Sequence, residues 1–128
     1  MKSPLLWLVI GAGGAMGALL RHFVGSLIQS RTQSEFPLAT LLVNVAGCFL
    51  FGLLFALLGN GVAKELRIFL FTGLLGGFTT YSTFGFECVS LLQRGYHGMA
   101  AGYIVASLVL GLGATWLGLS IAGGASRQ

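Results

Sequence analysis

Charged side chains are scarce in this sequence. Only 8% of its 128 residues are Asp, Glu, Lys or Arg, whereas about 25% is typical of soluble domains. So few charges cannot cover the surface of a water-soluble domain. Residues 3–20, 36–63, 68–86 and 95–126 carry no such side chain, and each run reaches the ~18 residues that a membrane-spanning helix needs. The sequence therefore predicts an all-α membrane protein.

The charge-free runs predict one transmembrane domain over residues 1–128, with four helices near residues 5–29, 37–58, 66–93 and 99–121. The first run also resembles a signal peptide. However, it stays apolar to Ile28, well beyond the roughly 7–15 residues of a signal-peptide core. We therefore expect the first helix to be retained in the protein.

Basic residues are almost evenly divided between the two ends of the predicted helices. One side of the membrane would hold Lys2, Lys64, Arg67 and Arg127, and the other would hold Arg31, Arg94 and, at the end of the first helix, Arg21. This is a weak positive-inside bias, compatible with a single topology or with insertion in both orientations. Because four short helices are too few to enclose a pathway, we expect a homodimer, antiparallel if insertion is dual.

Motifs for several other classes of protein are missing. Cys48 and Cys88 fall inside predicted spans, without the spacing of a disulfide or metal site. The stretch VIGAGGAMG (residues 9–17) has Met16 where a dinucleotide fingerprint needs its last glycine. Its small residues, at 13 and 17 and at 14 and 18, instead predict close helix packing. No basic patch suggests a nucleic-acid partner.

Polar side chains recur at helical spacing in the second and fourth predicted spans. Thr40 and Asn44 are four residues apart, as are Tyr103 and Ser107, so each pair shares a helix face. An amide such as that of Asn44 offers two N–H donors to an anion. A hydrogen bond to a neighbouring helix is the alternative role for each of these groups.

The third span contains GGFTTYSTFGFE (residues 76–87), an unusually polar run. The whole predicted span, residues 66–93, has 28 residues. A straight helix of that length would be about 42 Å long, whereas the hydrocarbon core of a bilayer is about 30 Å thick. The helix must therefore tilt strongly or break. Gly73, Gly76 and Gly77, followed by Thr79 and Thr80, predict a break near residues 76–80, where freed carbonyls can coordinate a cation.

Three aromatic residues and two charged residues complete the set of candidates. Phe78, Tyr81 and Phe84 recur every three residues, which predicts one helix face, used either for packing or to present positively polarised ring edges to an anion. Arg21 and Glu87 are charged within predicted spans, and such residues commonly mark ion pathways. Arg21 would then line an aqueous vestibule, and Glu87 would accept hydrogen bonds or take part in gating.

The segments GLLGGFTTYSTFGFE, LLVNVAGCFLFG and GAMGALLRH resemble the signature segments of the bacterial fluoride channels, the Fluc or CrcB family. The resemblance covers all four predicted helices. It implies a non-enzymatic channel for passive fluoride export: an antiparallel, dual-topology homodimer in the bacterial inner membrane, with two fluoride pathways and a central structural Na⁺. Tyr81 departs from the family's common phenylalanine, and Ala39 from its frequent glycine.

The resemblance also implies roles for individual residues. The backbone carbonyls of Gly76 and Thr79 would bind the Na⁺, Arg21 would line the vestibule, and Glu87 and Thr40 are candidates for a gating or structural role. The anion pathway would be formed by Asn44, Tyr81, Ser82, Thr83, Phe84, Tyr103 and Ser107.

Two other classes of function remain open. A small dual-topology, proton-coupled drug exporter also has four spans, but it needs a titratable acidic residue in the substrate cavity. The first predicted helix offers only Arg21, and Glu87 follows the aromatic run. A non-transporting membrane scaffold is the second alternative.

Overall fold

The computed structural model describes residues 3–123, and all the regular elements within this range are helical. The all-helical prediction is thus confirmed, while Lys2 and Arg127 of the topology count lie outside the described residues. In chain order the elements are α1 (Pro4–Ser30), α2 (Leu38–Leu58), α3 (Lys64–Arg67), a π-helical segment (Ile68–Leu75), α4 (Gly76–Phe78), α5 (Tyr81–Gln93) and α6 (His97–Gly123).

Three of these helices, α1, α2 and α6, are long and apolar enough to cross a membrane. Their outer faces are strongly apolar: Trp7, Leu19, Leu112 and Trp116 each expose between 67% and 71% of their surface. Large apolar side chains exposed along whole helices fit contact with lipid rather than water. The protein is therefore a multi-pass membrane protein.

The predicted third span is divided into several elements, which together occupy residues 64–93. The helical path ends at Phe78, and both Thr79 (φ −88°, ψ 156°) and Thr80 (φ −149°, ψ 119°) have extended backbone before α5 begins. We call these two residues the interruption. The longest element in this part of the chain, α5, has 13 residues, fewer than the ~20 that a single helix needs to cross a bilayer.

Glycines allow the helices to approach almost to backbone contact. A Cβ atom added at Gly17 would lie 2.1 Å from the carbonyl oxygen of Leu74, and one at Gly13 would lie 2.7 Å from that of Phe69. These contacts pack α1 against the π-helical segment and confirm the packing role predicted for this stretch. In the same way, an added Cβ at Gly52 would lie 2.3 Å from the Thr115 carbonyl oxygen, which joins α2 to α6.

A small core lies where α2, α5 and α6 meet. It consists of Leu41, Cys88, Leu91, Ala100 and Tyr103, of which Ala100 and Tyr103 are completely buried. Both cysteines are free thiols, and Cys88 packs in this core as a small apolar side chain, as predicted.

Substitution of Gly17 should test the close packing of α1. In Gly17→Ala, the new methyl group would overlap backbone atoms of Leu74, Gly77 and Phe78, which cannot rotate away. We expect a loss of about 1–3 kcal/mol in the free energy of unfolding, measured as a lower unfolding midpoint of the purified protein in detergent.

Gly25→Ala is the matched control, because it lies on the same helix and its added Cβ would meet no atom within 4 Å. Alanine is also the better helix former, by up to about 1 kcal/mol. Equal unfolding midpoints for the two variants would contradict the packing described for Gly17.

Candidate functional site

Asn44 pairs with the backbone of the interruption. Its Oδ1 accepts the N–H of Thr80 at 2.9 Å, and its Nδ2 donates to the carbonyl oxygen of Thr80 at 3.1 Å. Because a peptide N–H only donates and a carbonyl only accepts, these partners fix the orientation of the amide. The side chain thus satisfies both polar groups of an extended residue, as a neighbouring β-strand would.

The two threonines of the interruption are held by different contacts. The hydroxyl of Thr79 donates to the Leu75 carbonyl oxygen at 3.0 Å. Its methyl group packs against α2 so closely that a Cβ at Gly47 would lie 2.2 Å from it. The hydroxyl of Thr80 caps the N-terminus of α5, since it accepts the N–H of Thr83 at 3.4 Å and donates to the Thr83 hydroxyl at 3.2 Å.

Glu87 accepts hydrogen bonds from two other helices. The Thr40 hydroxyl donates to its Oε1 at 2.7 Å, and the Tyr103 hydroxyl donates to its Oε2 at 2.7 Å. A carboxylate within a membrane protein is costly unless such partners are provided. Both oxygens are engaged, so this group joins α5 to α2 and α6.

Arg21 connects α1 to the end of α4. Its Nε–H donates to the carbonyl oxygen of Gly77 at 3.2 Å. This carbonyl lies one residue before the last residue of α4, where helical carbonyls lose their partners and a cationic donor is favourable.

One cavity, of about 390 Å³, lies beside the interruption, and we call it the asparagine cavity. Its lining brings together six of the predicted site residues: Asn44, Gly76, Thr79, Tyr81, Phe84 and Ser107. It thus joins an amide, the interrupted backbone, two aromatic rings and a hydroxyl.

A second cavity, of about 330 Å³, contains Arg21 and is called the arginine cavity. Four predicted site residues line it, namely Arg21, Thr40, Thr83 and Glu87, together with His22, which the sequence patterns did not single out. Thr40 and Glu87 also border a third cavity, formed largely by the connection between α1 and α2. The Thr40–Glu87 pair therefore lies between two polar spaces.

Two predicted pathway residues lie outside the linings of the asparagine and arginine cavities. Tyr103 is completely buried in the core, where its ring makes an edge contact with Phe84 at 5.1 Å between centroids. Ser82 is exposed, with its hydroxyl 3.4 Å from that of Thr80.

The prediction of one aromatic face is wrong for Phe78. This ring is buried and packs towards Gly47, whereas Tyr81 is 85% exposed and lines the asparagine cavity with Phe84. Spacing by three places residues on one face only along a continuous helix. The extended residues between Phe78 and Tyr81 remove that continuity.

The sequence patterns did not assign Thr80 or Gly77 to the site, although they partner Asn44 and Arg21. For Thr80, the available signal was its residue type directly before a helical pattern, which is typical of an N-cap. No comparable local signal marks Gly77, because its partner lies 56 residues away along the chain.

The cation ligands predicted for this site are backbone carbonyl groups. Within residues 3–123, no group of three or more His, Cys, Asp or Glu side chains is arranged to hold a metal ion. The carbonyl groups predicted to bind Na⁺, those of Gly76 and Thr79, belong to residues that border the asparagine cavity. Carbonyl oxygens are hard ligands, and they suit a hard cation such as Na⁺.

Comparison with known proteins identifies the family of the chain. Residues 8–119 match the family model described as CrcB-like protein, Camphor Resistance (CrcB). Similar curated proteins include the "Fluoride-specific ion channel FluC" of Rhizobium meliloti (strain 1021), 44% identical over 89% of this chain and 93% of the relative. The protein of the same name from Flavobacterium psychrophilum is 46% identical over 88% of this chain and 93% of the relative. The chain therefore belongs to the CrcB-like family.

Proposed function

We propose that this protein is a fluoride-selective channel that lets fluoride leave the cytoplasm passively. It would act in the bacterial inner membrane as an antiparallel homodimer, with two anion pathways and a central structural Na⁺. The observation that carries the proposal is the asparagine cavity, which combines hydrogen-bond donors and aromatic side chains without an acidic side chain among its lining residues. The similar proteins named as fluoride-specific channels support it, and a channel assignment excludes an enzymatic one.

Fluoride is small and strongly hydrated, so a selective pathway must replace its water with closely placed donors. Asn44 uses one Nδ2 hydrogen for the Thr80 carbonyl, which leaves the second for an anion. Ser107 and Tyr81 add hydroxyl groups to the lining, and Tyr81 and Phe84 add ring edges. Because none of these groups carries a positive charge, the anion would be released again.

The arginine cavity fits the role of a vestibule. After donating its Nε–H to Gly77, the Arg21 guanidinium still has its four terminal N–H groups. A fixed positive charge at the entrance of a polar space raises the local concentration of anions. Glu87 opposes an anion, and its two hydroxyl partners and its place between two cavities support a structural or gating role.

The interrupted residues 64–93 would form the fourth membrane crossing, with the interruption at mid-depth. Gly17, midway along α1, packs directly against Gly77 and Phe78. Gly47, next to the middle of α2, packs against Thr79. Irregular backbone at this depth is tolerated only where protein or a polar cavity surrounds it.

A second copy of the chain would cover the asparagine cavity. Tyr81 lines this cavity and is 85% exposed in the single protomer. Direct lipid contact would leave the polar groups of Asn44 and Ser107 facing hydrocarbon, at a cost. A central Na⁺ bound by the Gly76 and Thr79 carbonyls of both subunits would hold the dimer together and offset part of the anion's charge.

Reconstitution in liposomes provides the direct test of the proposed activity. Purified protein should release fluoride from loaded vesicles while chloride stays inside, measured with ion-selective electrodes against protein-free vesicles. Absence of fluoride release would contradict the proposal and favour a scaffold. Proton-coupled uptake of an organic cation would instead favour the drug exporter.

Asn44→Asp should reduce fluoride release to the level of protein-free vesicles. The substitution replaces the amide donors with a carboxylate oxygen, which repels both the anion and the Thr80 carbonyl. Cys48→Ala is the matched control, because Cys48 lies one turn along the same helix and borders the same cavity. Normal flux through Asn44→Asp would show that Asn44 is not a donor to the ion.

Dual insertion can be tested by labelling cysteines in a Cys48→Ala, Cys88→Ala background. Gln33→Cys and Asn60→Cys place thiols at opposite ends of α2. Because the basic residues are nearly balanced, about half of each variant should react with an impermeant maleimide added outside intact cells. Complete labelling of one variant and none of the other would establish a single topology.

A further inference from the structure

At the interruption, two backbone N–H groups that would bond to carbonyl oxygens in a continuous helix bond to side chains instead. In a continuous α-helix, the N–H of each residue bonds to the carbonyl four residues earlier. The Gly76 carbonyl would therefore receive the Thr80 N–H, and the Thr79 carbonyl would receive the Thr83 N–H. Both of these N–H groups bond to side-chain oxygens instead.

Asn44 takes the first N–H group. The Thr80 N–H donates to Asn44 Oδ1 at 2.9 Å, so it is directed to α2 rather than back to Gly76. The Nδ2 group holds the Thr80 carbonyl at the same time. Both polar groups of this residue are fixed by one rigid amide, which keeps α4 from continuing beyond Phe78.

The Thr80 hydroxyl takes the second N–H group. It accepts the Thr83 N–H at 3.4 Å, and this N-cap starts α5 at Tyr81. Thr79 lies outside the helix, with a ψ of 156° that turns its carbonyl away from the direction of helical hydrogen bonding.

Neighbouring carbonyls of the interruption have protein donors. The Leu75 carbonyl accepts from Thr79, the Gly77 carbonyl from Arg21 and the Thr80 carbonyl from Asn44. Gly76 and Thr79 border the asparagine cavity, and their helical donors, the N–H groups of Thr80 and Thr83, bond to side chains. The two carbonyls that the family resemblance implies as Na⁺ ligands therefore both have helical donors that side chains engage.

We infer that Asn44 and Thr80 are positioning residues for the cation site: their side chains withhold the N–H groups that would otherwise occupy the Gly76 and Thr79 carbonyls. This inference rests on the Na⁺ of the proposed function. It gives Asn44 two tasks, because the same amide that presents a donor to the anion also keeps the cation ligands free. Cation binding and anion passage then depend on one side chain.

Sodium affinity tests the inference without reference to transport. Wild-type protein, Asn44→Ala and Cys48→Ala would be purified in choline chloride and titrated with radiolabelled Na⁺ by scintillation proximity. In Asn44→Ala, the Thr80 N–H is free to return to the Gly76 carbonyl, and we expect the Na⁺ affinity to fall by about 10–100-fold, as for other supporting partners of metal ligands. Cys48→Ala should bind like wild type.

Wild-type Na⁺ affinity in Asn44→Ala, together with lost fluoride flux, would overturn the inference and leave Asn44 as an anion donor alone. Failure of the wild-type protein to bind Na⁺ would also overturn it. By contrast, Na⁺ binding by a wild-type protein that does not pass fluoride in liposomes would refute the proposed channel and leave the positioning roles intact.

Thr80→Val provides a second variant if Asn44→Ala does not fold. It keeps the shape of the side chain and the backbone contacts with Asn44, but it removes the hydroxyl that caps Thr83. The Thr83 N–H could then return to the Thr79 carbonyl, with the same expected loss of Na⁺ affinity. Unchanged affinity in this variant would contradict the inference independently.

Discussion

The structure depends on the need of every backbone polar group in a bilayer to find a partner within the protein. Two extended residues interrupt the helix between Phe78 and Tyr81, and the helical hydrogen bonds that would cross this point are lost. Side chains from two other helices replace some of them. Asn44 of α2 satisfies Thr80, and Arg21 of α1 satisfies Gly77.

Glycine makes these side-chain contacts geometrically available. Gly17 brings α1 into near contact with the backbone of Leu74, Gly77 and Phe78, and Gly47 brings α2 against the side chain of Thr79. Arg21 and Asn44 on those helices can then reach main-chain atoms that a wider spacing would leave unpaired. The high glycine content and the polar residues of the spans are therefore parts of one arrangement, in which close approach permits the hydrogen bonds made at the interruption.

Polar groups beside the cavities differ in how fully the protein satisfies them. Glu87 borders two cavities, and both of its oxygens accept hydrogen bonds from hydroxyl groups of two other helices. The amide of Asn44 borders a cavity, and its pairing with Thr80 uses only one of its two N–H hydrogens. The two groups therefore differ in unused hydrogen-bonding capacity, because both Glu87 oxygens have protein donors whereas the Asn44 amide keeps one N–H outside its pairing with Thr80.

The amino-acid sequence by itself determined the helical class and the membrane setting, because its long runs without charged residues are apolar enough and long enough to cross a bilayer as helices. Periodicity also indicated which glycines pack, since Gly13 and Gly17 share a face of an unbroken helix. It placed Phe78 wrongly, because the relation between residues three apart fails across an extended backbone. The partners of Asn44, Arg21 and Glu87 were decided only by the tertiary structure: they lie far away along the chain, and no local pattern records which distant backbone or hydroxyl group a side chain will meet.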